Sequence, residues 1–393
     1  MPTLKHKQKN NVFTKNNVKL VRSGKQYFDL LLDLIQKATE SIHLQSYILA
    51  DDKTGILITD ALKTAVKRDV AVYILADGYA SKNLSNTFID SLLQANIQFR
   101  FFEPLYRSKY FYFGRRMHQK LIVVDATYAV VGGMNIADRY NDLPECPAWL
   151  DFAVYAEGPL AKELCVHAWK TWNDFPKNMG ITPCEEKEIA FTFTENETSL
   201  AGMRRNDWVR RKNDISSTYI NMLRNADSYI TIMCSYFLPG KIIRKLLRQA
   251  SARGVKIKLI VAGQSDVKIA KYAERWMYDW LLRHKIELHE YQPTVLHAKV
   301  AVCDGKLCSI GSYNINDISA YASIELNIDV QDQHFAQKIS TILEDTIKND
   351  CAYISKEKHL QTNNIFKQFL RWCSYKIFRI GFYMVTFYFK RKE

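Results

Sequence analysis

The eight cysteines of this 393-residue chain include no CxxC pair and no set at metal-ligand spacing. A cysteine-built metal site is therefore not expected, and the thiols read as reduced, cytosolic and mostly buried as small apolar groups. The basic N-terminus lacks the apolar stretch that would make a secretory leader. The longest apolar run, Ile380 to Phe389, has ten residues, too few to span a bilayer as a helix. Disorder and fibrous repeats are excluded by composition, since 47% of residues are apolar and can supply a sizeable core.

Acidic residues are scarce at both ends. Residues 1–26 hold seven Lys or Arg and no acid, and residues 365–393 hold seven with Glu393 alone against them. Nearly all of the formal charge of +14 therefore sits on the termini of a near-neutral body. That pattern suits docking to a polyanion, either nucleic acid or an anionic membrane.

The chain does contain a long-period repeat. Asp69 to Gly78 matches Gly254 to Gly263, each with alternating apolar residues ending in Gly, as a half-buried strand leading into a turn requires. Helix-like stretches precede them (Ile56 to Lys67 and Ile242 to Arg253), and Gln45-Ser46-Tyr47-Ile48 pairs with Cys234-Ser235-Tyr236-Phe237 further upstream. Strands alternating with helices predict α/β layers. The expected architecture is two α/β/α sandwich domains related by a pseudo-twofold, with one active site at their interface. The boundaries read as a basic segment 1–23, a first domain 24–177, a polar linker 178–212, a second domain 213–350 and a basic aromatic tail 351–393.

Within the repeat lies one motif in two copies. His118, Lys120 and Asp125 are followed by Gly132-Gly133 and Asn135; His297, Lys299 and Asp304 are followed by Gly311-Ser312 and Asn314. The interval from His to Asn is seventeen residues in both. Short patterns recur by chance, but two copies at corresponding places of two repeats do not. His and Lys two apart on a strand share a face. Asp125 and Asp304 fall at turns, where they are expected to brace strand and loop rather than touch substrate. Gly133 and Ser312 are expected to let backbone N–H groups approach a phosphate, with Asn135 and Asn314 adding amide donors.

Two imidazoles, two ammonium groups and two amides around one phosphorus suit phosphodiester transfer. One neutral imidazole attacks phosphorus; the other donates to the leaving alkoxide and later deprotonates the incoming nucleophile. Lys120 and Lys299 would stabilise the non-bridging oxygens, so no metal and no cofactor is required. Asp151, after the first copy, is assigned to orient His118, and Glu325, after the second, to orient His297.

These residues resemble the phospholipase D superfamily and, within it, the bacterial cardiolipin synthases, over most of the chain from Gly24 to Asp350. Supporting segments are Gln45 to Ile48, Gly132 to Asp138, Trp149-Leu150-Asp151, Ser235 to Pro239 and Gly311 to Asn314. The resemblance implies a phosphohistidine intermediate, with His118 as nucleophile and His297 as acid and base. It also implies an activity that moves a phosphatidyl group between phosphatidylglycerol molecules. Two departures stand out: there is no pair of transmembrane helices, and Asn316-Asp317-Ile318-Ser319 replaces an Asp-x-Arg-Ser stretch. The rival readings are a hydrolase releasing phosphatidic acid, a nuclease of the same family, and a non-catalytic membrane scaffold.

Two segments are expected to reach lipid. The loop Leu105 to Met117 mixes aromatic and basic residues beside the catalytic strand. In the tail, Phe366, Phe369, Trp372, Tyr375 and Phe378 are expected to form one face of an interfacial helix. The expected partners are an anionic phospholipid substrate and a membrane surface, without nucleic acid and with oligomeric state left open. The expected place is peripheral, on the cytoplasmic face of the cell membrane.

Overall fold

A computed structural model describes residues 12–104, 115–174, 181–189, 191, 193, 198–361 and 364–390. The first half runs β1 (Thr14–Arg22), α1 (Lys25–Lys37), β2 (Ser41–Ser46), α2 (Lys53–Val66), β3 (Ala71–Asp77), α3 (Asn86–Gln94), β4 (Gln98–Phe102), β5 (Arg116–Met117), β6 (Leu121–Val124), β7 (Tyr128–Gly132), β8 (Phe152–Glu157), α4 (Pro159–Trp172) and α5 (Pro183–Glu186). The second runs β9 (Ser199–Asp207), β10 (Lys212–Asn213), α6 (Asp214–Asn225), β11 (Tyr229–Cys234), α7 (Lys241–Ala252), β12 (Lys256–Ala262), α8 (Lys268–Trp276), α9 (Tyr278–Arg283), β13 (Glu287–Tyr291), β14 (Lys299–Cys303), β15 (Leu307–Gly311), α10 (Asp317–Tyr321), β16 (Ser323–Gln331), α11 (Gln333–Asp350), β17 (Cys351–Tyr353), α12 (Lys356–Gln361) and α13 (Ile365–Lys390).

One sheet passes through both halves. In the first the order is β4-β3-β2-β6-β7-β8-β1, and in the second β13-β12-β11-β14-β15-β16-β9. Strand matches strand across a pseudo-twofold, and β1 pairing antiparallel with β9 joins the two. The matched β6 and β14 show why these sequences make buried strands. In β6, Leu121 and Val123 face a central core while Ile122 and Val124 face an outer one. In β14, Val300 and Val302 face the central core while Ala301 and Cys303 face outward. A strand's period of two lets an uninterrupted apolar run serve both layers.

The outer core of the first half lies under α1, α2 and α3, through Phe28, Leu31, Ile58, Leu62, Phe88 and Leu92. That of the second lies under α6 to α9, through Ile215, Tyr219, Leu247, Ala273 and Leu281. The central core takes residues from both halves, including Leu164 of α4 and Ile339 of α11. It therefore fixes the two halves against each other, and the site described below is built across that junction.

Four expectations are corrected here. The segment 178–212, expected to be a linker, contains β9, which pairs with both β1 and β16; its polar residues are those of a strand in which Arg204 is buried against Asp329 at 3.0 Å. The basic segment 1–23 likewise contributes β1 to the sheet. Cys165 of α4 and Cys184 of α5 form a disulfide, while six cysteines are free. The pair is nineteen residues apart, a separation that no short spacing rule detects; α5 folds back on α4 and brings them together.

The fourth concerns α13. Its Arg371 and Ser374 are buried, Tyr375 and Phe378 pack on the second outer core, and the helix lies along α8. Phe366, Phe369 and Trp372 are exposed. The five aromatics expected on one face are thus divided between two. A step of three residues falls about 60° short of a full turn, so an i, i+3 series winds around the helix. Residues 105–114 of the aromatic loop lie outside the described residues.

Candidate active site

His118 and Lys120 lead into β6; His297 and Lys299 stand at the matching place of β14. Two short pairings between the halves then set the geometry. β5 runs parallel to the start of β16, with Met117 beside Ile324. Leu150 bridges Leu296 in parallel, its N–H donating to Val295 O while His297 N–H donates to Leu150 O. Each pairing places the residue before one half's histidine beside the residue before the other half's acid.

The consequence is a crossed arrangement. His118 Nδ1 lies 2.9 Å from Glu325 Oε2, and His297 Nδ1 lies 2.7 Å from Asp151 Oδ2. The expectation that Asp151 serves His118 and Glu325 serves His297 is corrected: the pairs are exchanged. A carboxylate that accepts Nδ1–H leaves Nε2 as the reactive nitrogen of each ring. Burial lowers the pKa of His118, with Lys120 and Lys299 acting in the same sense and Glu325 opposing. Burial also holds His297 well below its ordinary value, reinforced by Lys299, Lys120 and His118. Each imidazole thus feels the lysine of the opposite half, which puts the four groups around one space.

The lysines are buried with them. Lys120 Nζ donates to His118 O at 2.5 Å, and Lys299 Nζ donates to His297 O. Burial drives Lys120 down to about 7, Lys299 adding to the fall while Glu325 opposes it. Asp151 moves the other way, pushed by burial up to about 7 against the pull of Lys299, the Phe152 N–H and Lys120. A site of buried side chains crowded with cations favours an incoming anion over its own protons.

Gly133 and Ser312 do something other than expected. Their N–H groups donate to Phe152 O and Leu326 O, so these backbone donors are already used within the fold. A Cβ at Gly133 would collide with the Asp151 carboxylate; glycine leaves room for that acid. At the matching place, Ser312 Oγ donates to Glu325 Oε2 at 2.5 Å and accepts from Leu326 N–H. Both residues therefore hold the acid that holds a histidine.

Asn135 is likewise built into the wall, its Oδ1 accepting from Ile48 N–H and its Nδ2 donating to the Tyr140 hydroxyl. Asn314 Oδ1 accepts from Ser235 Oγ. Asp125 accepts from the N–H groups of Thr39, Glu40 and Ser41, and Asp304 from those of Asp227, Ser228 and Tyr229. The two aspartates thus tie the motif strand to the start of β2 and of β11 in the same way.

Residues outside the motif also belong to the site. The Tyr47 ring meets His118 edge-on at 4.8 Å and lies 5.1 Å from Lys120 Nζ. The buried Tyr140 hydroxyl lies 3.5 Å from His297 Nε2, and the Trp149 ring is 6.1 Å from that of His297. A signal for Tyr47 was present, since Tyr236 occupies the matching place of the second repeat. Tyr140 has no such counterpart, because Ser319 stands at its repeat position. Among the described residues no group of three or more His, Cys, Asp or Glu is placed to hold a metal ion.

Two crossed His–carboxylate pairs with two buried lysines, at the junction of two α/β halves, form the arrangement expected of a phospholipase D–type site. The family described as cardiolipin synthase, PLD-like domain, matches residues 31–145 and 219–347. Cardiolipin synthase B of Escherichia coli strain K12 is 30% identical over 357 residues, covering 87% of this chain and 83% of that protein. Cardiolipin synthase 2 of Bacillus anthracis is 27% identical over 345 residues, covering 86% and 66%. The chain belongs to the cardiolipin synthase family of phospholipase D–type phosphatidyltransferases. The fold is shared with the phosphatidylserine synthase of Haemophilus influenzae Rd KW20, at a TM-score of 0.71 and 12% identity over 95% of this chain and 96% of that one.

Proposed function

We propose that this chain makes cardiolipin from two molecules of phosphatidylglycerol through a phosphohistidine at His118. The crossed pairing supports this most directly, because it gives two rings an unprotected Nε2 beside the same two lysines. In the first step His118 Nε2 attacks phosphorus, the bond from phosphorus to the glycerol oxygen breaks, and His297 Nε2 gives that oxygen its proton. In the second, His297 takes the proton of the acceptor hydroxyl, the new oxygen attacks phosphorus, and the phosphorus–nitrogen bond breaks.

His297 must carry a proton to begin. Burial opposes this first, and Lys299 and Lys120 add to it. An anionic phosphodiester between those ammonium groups reverses the local field and raises the imidazole toward protonation. Lys120, Lys299 and Asn314 then hold the non-bridging oxygens as charge develops. The two ammonium groups supply the positive charge that this sequence of steps requires.

We place the enzyme on an anionic membrane surface, at its cytoplasmic face, attached through α13. Among the described residues no helix is long and apolar enough to cross a membrane. α13 instead docks by one stripe and leaves Phe366, Phe369, Trp372 and Ile377 exposed beside Lys367, Lys376 and Arg379. Apolar and cationic residues together suit the headgroup region of acidic lipid.

The test is to incubate the purified protein with phosphatidylglycerol vesicles and identify products by mass spectrometry. Cardiolipin with glycerol is the expected result. Phosphatidic acid alone would make the protein a hydrolase, and no lipid product would refute the reading.

A further inference from the structure

The two halves of the site match in their histidines, lysines and acids, but their flanks differ. Four residues after the motif asparagine, the first half has Arg139 and the second has Ile318. Five after it stand Tyr140 and Ser319, and two before the acid stand Trp149 and Ser323. At these three matched positions the first half thus supplies a cation and two aromatics where the second supplies none.

That flank is the one beside His297. The Arg139 guanidinium carbon lies 5.1 Å from the Trp149 ring centre and 5.8 Å from that of Tyr140. Those rings lie 6.1 Å and 5.3 Å from the ring of His297. Two aromatic faces hold a guanidinium in place without consuming its N–H donors. Arg139 Nε is buried with no hydrogen-bond partner, and among the described residues its guanidinium makes no ion pair. A buried donor left unpaired beside a reactive centre is the exception that calls for a ligand.

The chemistry names the ligand. If His297 deprotonates the acceptor, the acceptor's glycerol lies against its Nε2. That glycerol carries a second phosphodiester three carbons from the attacking hydroxyl. We propose that Arg139 binds this second phosphodiester, so that the His297 flank is the subsite of a lipid alcohol that itself carries a phosphate. A guanidinium presents its N–H groups as a fork that fits two phosphate oxygens. The matching place holds the apolar Ile318, so the two flanks differ at this position of an otherwise twofold site. The proposal rests on the transferase reading above.

The experiment is a competition for one intermediate. Full-length protein acts on phosphatidylglycerol vesicles in the presence of n-butanol, an acceptor without phosphate, and the ratio of cardiolipin to phosphatidylbutanol is measured. Because both products arise from the same phosphohistidine, a loss on the donor side cannot change their ratio. R139Q should lower the ratio about tenfold or more, the loss expected for a charge-assisted hydrogen bond. R139K, which keeps the charge and loses the fork, should fall between; where R139Q is inactive toward both acceptors, the R139K ratio decides. Unchanged ratios, in a wild type that makes cardiolipin, overturn the Arg139 assignment alone. A wild type that makes no cardiolipin overturns the transferase reading and this proposal with it.

Discussion

Glu325 Oε2 lies 2.9 Å from His118 Nδ1, although 207 residues of chain separate them. The acid that orients the first histidine therefore belongs to the second half, and Asp151 repays the relation at His297. Neither half contains both a motif histidine and the acid that orients it. Two halves expressed separately would each lack the group that fixes the tautomer of their own histidine.

The crossing predicts which acid matters to which step. With a p-nitrophenyl phosphodiester as donor, the leaving group needs no proton, so only the nucleophile's partner should limit the first step. E325Q should slow the burst of nitrophenolate roughly a thousandfold, whereas D151N should slow it about tenfold or less. Stopped-flow absorbance measures both. The opposite ranking would restore the pairing within each half.

His297→Ala should trap the intermediate. With the same activated donor, intact-mass spectrometry should find one phosphatidyl adduct, mapped to His118 and lost in acid. His118→Ala should carry none. An adduct on His297 in the H118A protein would exchange the two roles.

Binding of anions should weaken with rising pH. Lys120, lowered to about 7 by burial and Lys299 against Glu325, is protonated below that pH and neutral above it in the empty site. Affinity for sulfate, whose charge is constant over this range, should therefore fall as pH rises through about 7, where an ordinary lysine near 10.4 would not respond. Isothermal titration from pH 6 to 9 gives the profile, and K120M should make it shallower, the remainder coming from Asp151, which burial pushes up to about 7. A wild-type profile that is flat over this range contradicts the assignment.

Asp304 should stabilise the fold in a pH-dependent way. Burial pushes its pKa up, but the N–H groups of Asp227, Tyr229 and Ser228 and the Ser228 hydroxyl outweigh it and bring it to about 2. A pKa lowered from its unfolded value near 3.9 gives stability that is complete above that value and lost as pH falls through about 2. D304N should thus melt below wild type at pH 7, by a few degrees for roughly 1 kcal/mol once solvent screening of this partly exposed carboxylate is allowed for. The gap should close as pH is lowered from 5 to 2. A gap independent of pH would mean that the carboxylate's charge contributes nothing.

The outer face of α13 should bind membrane without supporting the fold. Replacing Phe366, Phe369 and Trp372 with Ser should weaken cosedimentation with anionic vesicles about tenfold or more, from the apolar area withheld from lipid. The melting temperature should stay within about 2 °C, since exposed positions contribute little to stability. Deleting residues 365–393 should reduce vesicle binding more than activity on detergent-dispersed lipid. It should also lower the melting temperature, because Tyr375 and Phe378 pack on the second outer core.

The repeat, the α/β class and both copies of the motif were legible in the chain, because each is written at short range. The uninterrupted apolar runs Leu121 to Val124 and Val300 to Cys303 are a property of adjacent residues. So is the seventeen-residue interval that marks His118 with Asn135 and His297 with Asn314. Spacing of this kind establishes that a strand carries an imidazole and an ammonium on one face. It says nothing about what lies opposite.

Tertiary structure decided the partners. Glu325 rather than Asp151 reaches His118 because Met117 pairs with Ile324 across the junction, a contact between residues with no sequence relation to report it. Gly133 and Ser312 serve the acids because Asp151 and Glu325 arrive against them from neighbouring strands. The aromatic tail shows two faces because α8 covers one of them. In each case local sequence set the conformation of a segment, and long-range packing selected which of its polar or apolar groups would be met.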